Sequence, residues 1–308
     1  DLDRAFAEIH EAIRIAGTPP AADAAIARGR LFLAFAYSQA GRPQDALAAL
    51  ADLDADRWER GAAWLLRAWA EIALGEVDRA RKACDEALRL LDDDWALGHA
   101  EALLGNLAHA EHRYPDAVAH LSRATEAAER LGFAATGSLH RTNLGRALQL
   151  SGDPAAAVAA FDRAISTAHA SGDLRIAALA HTRLARVLRA LDRDDEARTH
   201  VAAARRWYAT AGGGDGALLA DHLAATLDDD RDALRALVAR HDPETEALSL
   251  DALARLEAVA GRTAAAAALL AEADRLVPAH LVTEADRFDK DRATAIIHPP
   301  CFGGNPAA

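Results

Sequence analysis

Histidine, cysteine and clustered carboxylates are the side chains that could hold a metal or attack a substrate, and their spacing in this chain suits neither task. The chain has 13 histidines and two cysteines. His109 and His112 lie three residues apart and could share a divalent ion. A tetrahedral site needs more ligands, and no cysteine or third histidine is near in sequence. The expectation is polar histidines near a helix end. His10-Glu11 has no second histidine at the zincin spacing. Cys84 falls in an apolar column, as a packed thiol would. The runs Asp92-Asp93-Asp94 and Asp228-Asp229-Asp230 read as helix ends and caps. No phosphate-cradling GxxxxGK[ST] occurs, the Gly212 stretch lacks its lysine, and no GxSxG elbow is present. The reading is a protein that is not an enzyme, with no metal, no cofactor and no catalytic residue.

What positions the remaining polar residues is an internal repeat. Leu104-Gly105 leads to Ala117, Leu121 and Ala124. Leu144-Gly145 leads to Ala157, Phe161 and Ala164, and Leu184-Ala185 leads to Ala197, Val201 and Ala204. The leucines recur every 40 residues, and the offsets inside each unit are constant. The pattern returns at Leu33-Ala34 with Ala46 and Leu50, at Ala68 with Ala80, Cys84 and Ala87, and at Leu253-Ala254 with Ala266, Leu270, Ala273 and Pro278. Small residues at fixed columns let paired helices approach, and bulky ones fill the space against the next pair. Gly41, Gly75, Gly152 and Gly261 mark the ends of first helices, and Pro43 and Pro154 the starts of second ones. Asp153, Asp194 and Asp195 stand where second helices begin, as caps should.

This pattern resembles the tetratricopeptide repeat, although its units exceed the usual length of roughly 34 residues. The longer second helix, as in Val158 to Ser171, would account for the difference. The resemblance implies an all-α fold, a right-handed superhelix of antiparallel helix pairs (an α-solenoid with units of about 34–40 residues). Residues 1–210 would form the repeats, beginning with a half-repeat at Ala5, Ile9 and Ala12. Residues 211–297 would hold a degenerate unit (Ala217 to Arg240), a final repeat and a capping helix. Residues 298–308, with Pro299, Pro300 and Pro306, would be a flexible tail.

In tetratricopeptide superhelices the first helix of each pair faces the concave groove. Counted from the aligned leucines, one groove column reads Phe35, Trp69, Asn106, Arg146 and Arg186. Its neighbour reads Ser38, Ile72, His109, Gln149 and Arg189. The groove would therefore run from an aromatic end to an arginine-rich one. Asn106, Asn143 and Arg183 also fall on positions of the carboxylate-clamp type of tetratricopeptide domain, while Ala102 and Leu179 stand where its lysines would be. An asparagine amide can bond both groups of an extended peptide bond, and an arginine can hold a carboxylate bidentately. The competing reading is that these are ordinary solvated residues paired with acids on neighbouring helices.

Composition narrows the partner. The formal net charge is −12, and the arginines alternate with acids, which argues against direct nucleic-acid contact. No apolar run approaches the roughly 20 residues needed to cross a bilayer, and Asp1-Leu2-Asp3-Arg4 lacks the features of a signal peptide. Two cysteines fit a reducing cytoplasm. The chain contains no methionine, and with the opening half-repeat this suggests a piece of a longer protein. The 40-residue units, Leu144-Gly145-Arg146-Ala147-Leu148 with Gly152-Asp153-Pro154, and Ala273-Asp274-Arg275-Leu276 resemble the C-terminal repeats of SARP- and STAND-type bacterial transcriptional regulators. There the repeats serve as a sensor or autoinhibitory arm. The resemblance implies a peptide- or protein-binding arm in transcription regulation or signalling, its partner a protein, a peptide or neighbouring domains of the same polypeptide. A free-standing scaffold and an enzyme on a helical array are the alternatives.

Overall fold

The computed structural model describes residue 11 and residues 21–51, 53, 56–213, 216–240, 243–276, 293, 294 and 297. The expected half-repeat at Ala5, Ile9 and Ala12, most of the capping helix with Pro278, and the tail with Cys301 lie outside the described residues. The described residues are all helix and turn, and the chain divides into two compact units, Asp1–Gly152 and Asp153–Ala308.

The first unit contains α1 (Ala21–Gln39), α2 (Pro43–Ala49), α3 (Arg57–Ala73), α4 (Val77–Leu90), α5 (Asp94–Ala110), α6 (Tyr114–Arg130) and α7 (Ala134–Leu150). The second contains α8 (Pro154–Ser171), α9 (Leu174–Ala190), α10 (Asp194–Ala211), α11 (Ala217–Leu227), α12 (Arg231–Val238), α13 (Pro243–Val259) and α14 (Thr263–Leu276). Each helix packs on its successor within its unit, and α1 on α3, α3 on α5 and α9 on α11 also meet. The helices thus form hairpins stacked side by side. The segment Ala217 to Arg240, expected as a degenerate unit, holds a hairpin of two short helices.

The small-residue columns are what bring the helices together. Ala46, Ala80, Ala117, Ala157, Ala197 and Ala266 are completely buried, and so are Cys84 and Phe161. Glycine goes further at two places. A Cβ on Gly105 would stand 2.6 Å from Leu121 Cγ, and one on Gly61 would run into Leu91 Cγ. Burial of the Cys84 thiol pushes its pKa up to about 12, as desolvation of a thiolate must.

First helices end in a residue with left-handed backbone: Gly41, Gly75, Gly152 and Gly261, but His112, Asp192 and Asp229 in the other hairpins. Except at Gly152, the N–H after that residue returns to the carbonyl five positions back, as in Arg42 to Tyr37 (2.9 Å), Arg113 to Ala108 (2.8 Å) and Arg193 to Leu188 (2.9 Å). This is the Schellman closure, and it turns the chain into the next helix within three residues. Asp153 caps α8 by accepting from the Ala156 N–H at 2.9 Å. Asp194 and Asp195 take a different place: Arg193 occupies the cap position, and the two acids stand in the first turn of α10, where they face the helix's positive end. Asp93 and Asp230 cap α5 and α12, while Asp94 and Asp229 pair with Arg130 and Arg255. No described helix is long and apolar enough to cross a membrane.

Candidate functional site: an aromatic cleft on the first helices

On α3, Trp58, Ala62, Leu66 and Trp69 are three or four residues apart and so share one face. The same spacing aligns Arg28, Phe32 and Phe35 on α1 and Trp95 and His99 on α5, with Asn106 two turns further on. These three faces meet in a cleft of about 610 Å³, lined by Phe32, Phe35, Trp58, Leu66 and Trp95, with Arg28 among them. That volume falls in the range of small-ligand and side-chain pockets. Phe32 is 66% exposed, and Phe35 and Trp58 are each 45% exposed. Large apolar side chains exposed together mark a contact surface rather than a core.

The rings brace one another. Phe35 meets Trp69 edge-on at 5.9 Å, and Trp58 lies 5.6 Å from Trp95. His99 lies against Trp95 at 4.6 Å, its Nδ1–H donating to the Trp95 carbonyl at 2.8 Å. Arg28 Nε donates to the buried Glu59 at 3.0 Å, so the cation beside the cleft is already neutralised. Apart from that guanidinium the described residues of the lining include no nucleophile, base or charged group, and they suit apolar contact better than bond-making chemistry.

The other groove candidates fall into two places. In the first unit, Asn106 is exposed and accepts from Asn143 Nδ2 at 3.5 Å, bridging α5 and α7. One turn on, Arg146 donates to Gln149 at 3.3 Å, and both are half-buried. Ala102, where the clamp pattern would have lysine, is buried. Ser38 turns its hydroxyl back to the Ala34 carbonyl. In the second unit, Arg183 and Arg186 are half-buried on α9 and Arg189 is only 8% exposed.

His109 and His112 both turn to Tyr114: His109 meets its ring edge-on at 5.8 Å, and His112 Nδ1 lies 2.8 Å from its hydroxyl. Among the described residues no three His, Cys, Asp or Glu side chains could hold a metal ion. Phe32, Trp58 and Trp95 went unnoticed in sequence. The signal was there, because Trp58 precedes Trp69, and Trp95 precedes Asn106, by eleven residues, which is three turns along one face.

Helix hairpins stacked through small-residue columns define a tetratricopeptide-repeat-like α-solenoid. Solved structures of repeat proteins have this fold. Aspartyl phosphate phosphatase F from Bacillus subtilis superposes with a TM-score of 0.67 at 14% identity, over 82% of this chain and 70% of that one. A Rap protein complexed with competence and sporulation factor gives 0.63 at 12% identity, over 96% and 92%. A signal transduction ATPase with numerous domains from Pyrococcus horikoshii, which carries a tetratricopeptide repeat sensor, gives 0.65 at 14% identity; the match spans 81% of this chain but 41% of that protein. No protein-family model and no curated protein matches the sequence.

Proposed function

We propose that this chain is a protein- or peptide-binding module, and that its aromatic cleft seats the apolar anchor side chains of a partner. The observation that carries this reading is the exposure of Phe32, Phe35 and Trp58 around one cleft. Aromatic anchors of this kind dominate binding energy at interfaces. Asn106 and Asn143 further along the first helices offer amides to the backbone of an extended ligand. The finer reading is a sensor or regulatory arm of a larger bacterial signalling or transcriptional regulator. It is supported by fold likeness to a STAND protein's tetratricopeptide sensor and to a Rap protein solved with a bound factor. Arg146, Arg183 and Arg186 are assigned, in this reading, to recognition of acidic groups on the partner, while Arg189, only 8% exposed, is left out of it.

A displayed peptide library selected on the whole chain tests the proposal. Enriched peptides should carry aromatic or aliphatic anchors and lose about tenfold or more in affinity for a Phe35→Ser, Trp58→Ser variant, the order expected of hot-spot truncation. Charge reversal at Arg146 and Arg186 tests the acidic recognition in the same assay. Peptides that bind wild type and cleft variant equally would remove the cleft from the function.

A further inference from the structure

The 40-residue register gives different hairpins equivalent positions. Position 101 of α5 recurs as 141 in α7 and 181 in α9. Positions 120 and 123 of α6 recur as 200 and 203 in α10, and 129 in the last turn of α6 recurs as 169 in α8. In the first unit these columns hold balanced charge. Glu101 is buried between His120 Nδ1 at 2.6 Å and Arg123 Nε at 2.8 Å. Arg141, also buried, is bonded to Glu129. Around α9 the corresponding positions read His169 on α8, His181 on α9, and His200 and Ala203 on α10. The carboxylate is missing, and alanine replaces the arginine that fills the space in α6.

A cleft of about 560 Å³ stands there, between α8, α9 and α10. Its floor is Ala177, Ala178 and Ala203, and its walls include His169, His181, Arg206 and the half-buried Trp207. Among the described residues no carboxylate lines it, in a chain of net charge −12. On α10, Arg193, Arg198 and Arg205 each pair with an acid. Arg206 has alanine or threonine at every position three or four residues away and no ion pair among the described residues. His181 and His200 bring their Nδ1 atoms to 2.8 Å, a distance that holds one shared proton, and His169 lies 5.9 Å from the His181 ring. On α9 this cleft uses Ala177, Ala178 and His181, the helix face opposite Arg183 and Arg186.

We infer that this cleft is a second recognition site, which takes a carboxylate of an acidic peptide against Arg206 and the histidines while a neighbouring apolar side chain rests on Trp207 over the alanine floor. The ligand's carboxylate supplies the charge that Glu101 and Glu129 supply in the first unit. Guanidinium and carboxylate form charge-assisted bonds, and an indole face gives apolar area at little entropic cost. The histidines couple the site to pH. Burial, then the neighbouring His200 and His169, hold the His181 pKa near 4. Burial also lowers that of His200; against it Asp162 of α8 and Glu196 of α10 raise it, and Arg193 lowers it further. Asp221 of α11 is engaged by Arg205. An arriving anion stabilises the imidazolium, so binding takes up a proton and tightens as pH falls.

Calorimetric titration of the whole chain with a blocked Gly-Asp-Phe-Asp-Gly peptide, and with its Asn-Phe-Asn counterpart, tests this. The acidic peptide should bind, take up a proton at about pH 6, and weaken several-fold towards about pH 8. Arg206→Gln, at an exposed site, should weaken it by about tenfold, the order of a lost charge-assisted contact, and Arg206→Lys should restore part. Phe35→Ser, Trp58→Ser should leave this titration unchanged, so a failed aromatic cleft and a failed second site are told apart. Equal binding of the amide peptide, or indifference to Arg206→Gln, overturns the assignment. Inorganic phosphate that competes at equal affinity overturns it too, because the cleft then takes a bare anion rather than a peptide.

Discussion

The indoles of Trp58 and Trp95 stand 5.6 Å apart with their planes tilted by 33°, each contributed by the first helix of a different hairpin. Trp58 is 45% exposed, so its ring forms the wall of a cleft more than it fills a core. Trp58→Ala should therefore lower stability by only about 1 kcal/mol, the scale of one lost aromatic pair. Binding of Nile red, an uncharged probe of apolar clefts, should fall markedly in the same variant. A large loss of melting temperature with unchanged dye binding would make the ring structural.

Gly105 is the small residue of the Leu-Gly pair in α5, and a methyl there would meet Leu121 Cγ at 2.6 Å and the Leu121 backbone nitrogen at 3.3 Å. The leucine tip can rotate, whereas the backbone of α6 cannot move without disturbing its other contacts. Gly105→Ala should destabilise the chain by about 1–3 kcal/mol, as overpacking does, despite the better helix propensity of alanine. Urea denaturation with an unchanged slope is the measurement. A midpoint equal to wild type would mean α5 and α6 can separate freely.

Much of the fold was legible because close packing of helices demands small residues at fixed intervals, and Ala117, Leu121 and Ala124 repeat through the chain. Capping was legible only in part. Asp153 bonds the backbone of its helix, while Arg193 displaces Asp194 and Asp195 into the first turn, a shift of one residue that sequence does not reveal. The aromatic cleft was half visible. Phe35 and Trp69 follow from the repeat register, but Trp58 and Trp95 begin their helices, three turns before the residues that set the column. Pairings such as Asn106 with Asn143 depend on how successive hairpins stack, which no single repeat encodes. The histidine cleft was invisible for another reason: it is defined by an acid and an arginine that are absent, and only neighbouring hairpins show what is missing.

His112 adopts φ 59°, in the place where Gly41 and Gly75 close their helices. A side chain in the left-handed region costs about 1 kcal/mol relative to glycine. Its bond to the Tyr114 hydroxyl is exposed and returns little of that. His112→Gly should therefore raise stability by about 0.5–1 kcal/mol, seen as a rise of a few degrees in the melting temperature. A fall instead would mean that the contact with Tyr114 holds the α5–α6 turn.

His140 of α7 is 7% exposed, and its Nε2 has no hydrogen-bond partner among the described residues. Burial, reinforced by the charge of His99, lowers its pKa from 6.5 to about 4. The folded protein thus keeps a neutral ring where the unfolded chain would protonate it. Above about pH 6.5 neither state binds this proton, and stability does not depend on the group. Between about pH 6.5 and 4 the unfolded state binds more protons, so stability falls as pH falls, and the loss is complete below the folded pKa. The ceiling is about 3 kcal/mol, from the free energy of one pKa unit. Other groups titrate in the same range: burial lowers the His181 pKa to about 4 as well, and carboxylates add their own dependence at the acid end. The informative quantity is therefore the difference between wild type and His140→Leu. Urea melts at several pH values should give parallel curves above neutrality and a wild-type curve that falls relative to the variant's as pH approaches 4. Curves that stay parallel throughout would show that the buried ring is protonated in the folded protein.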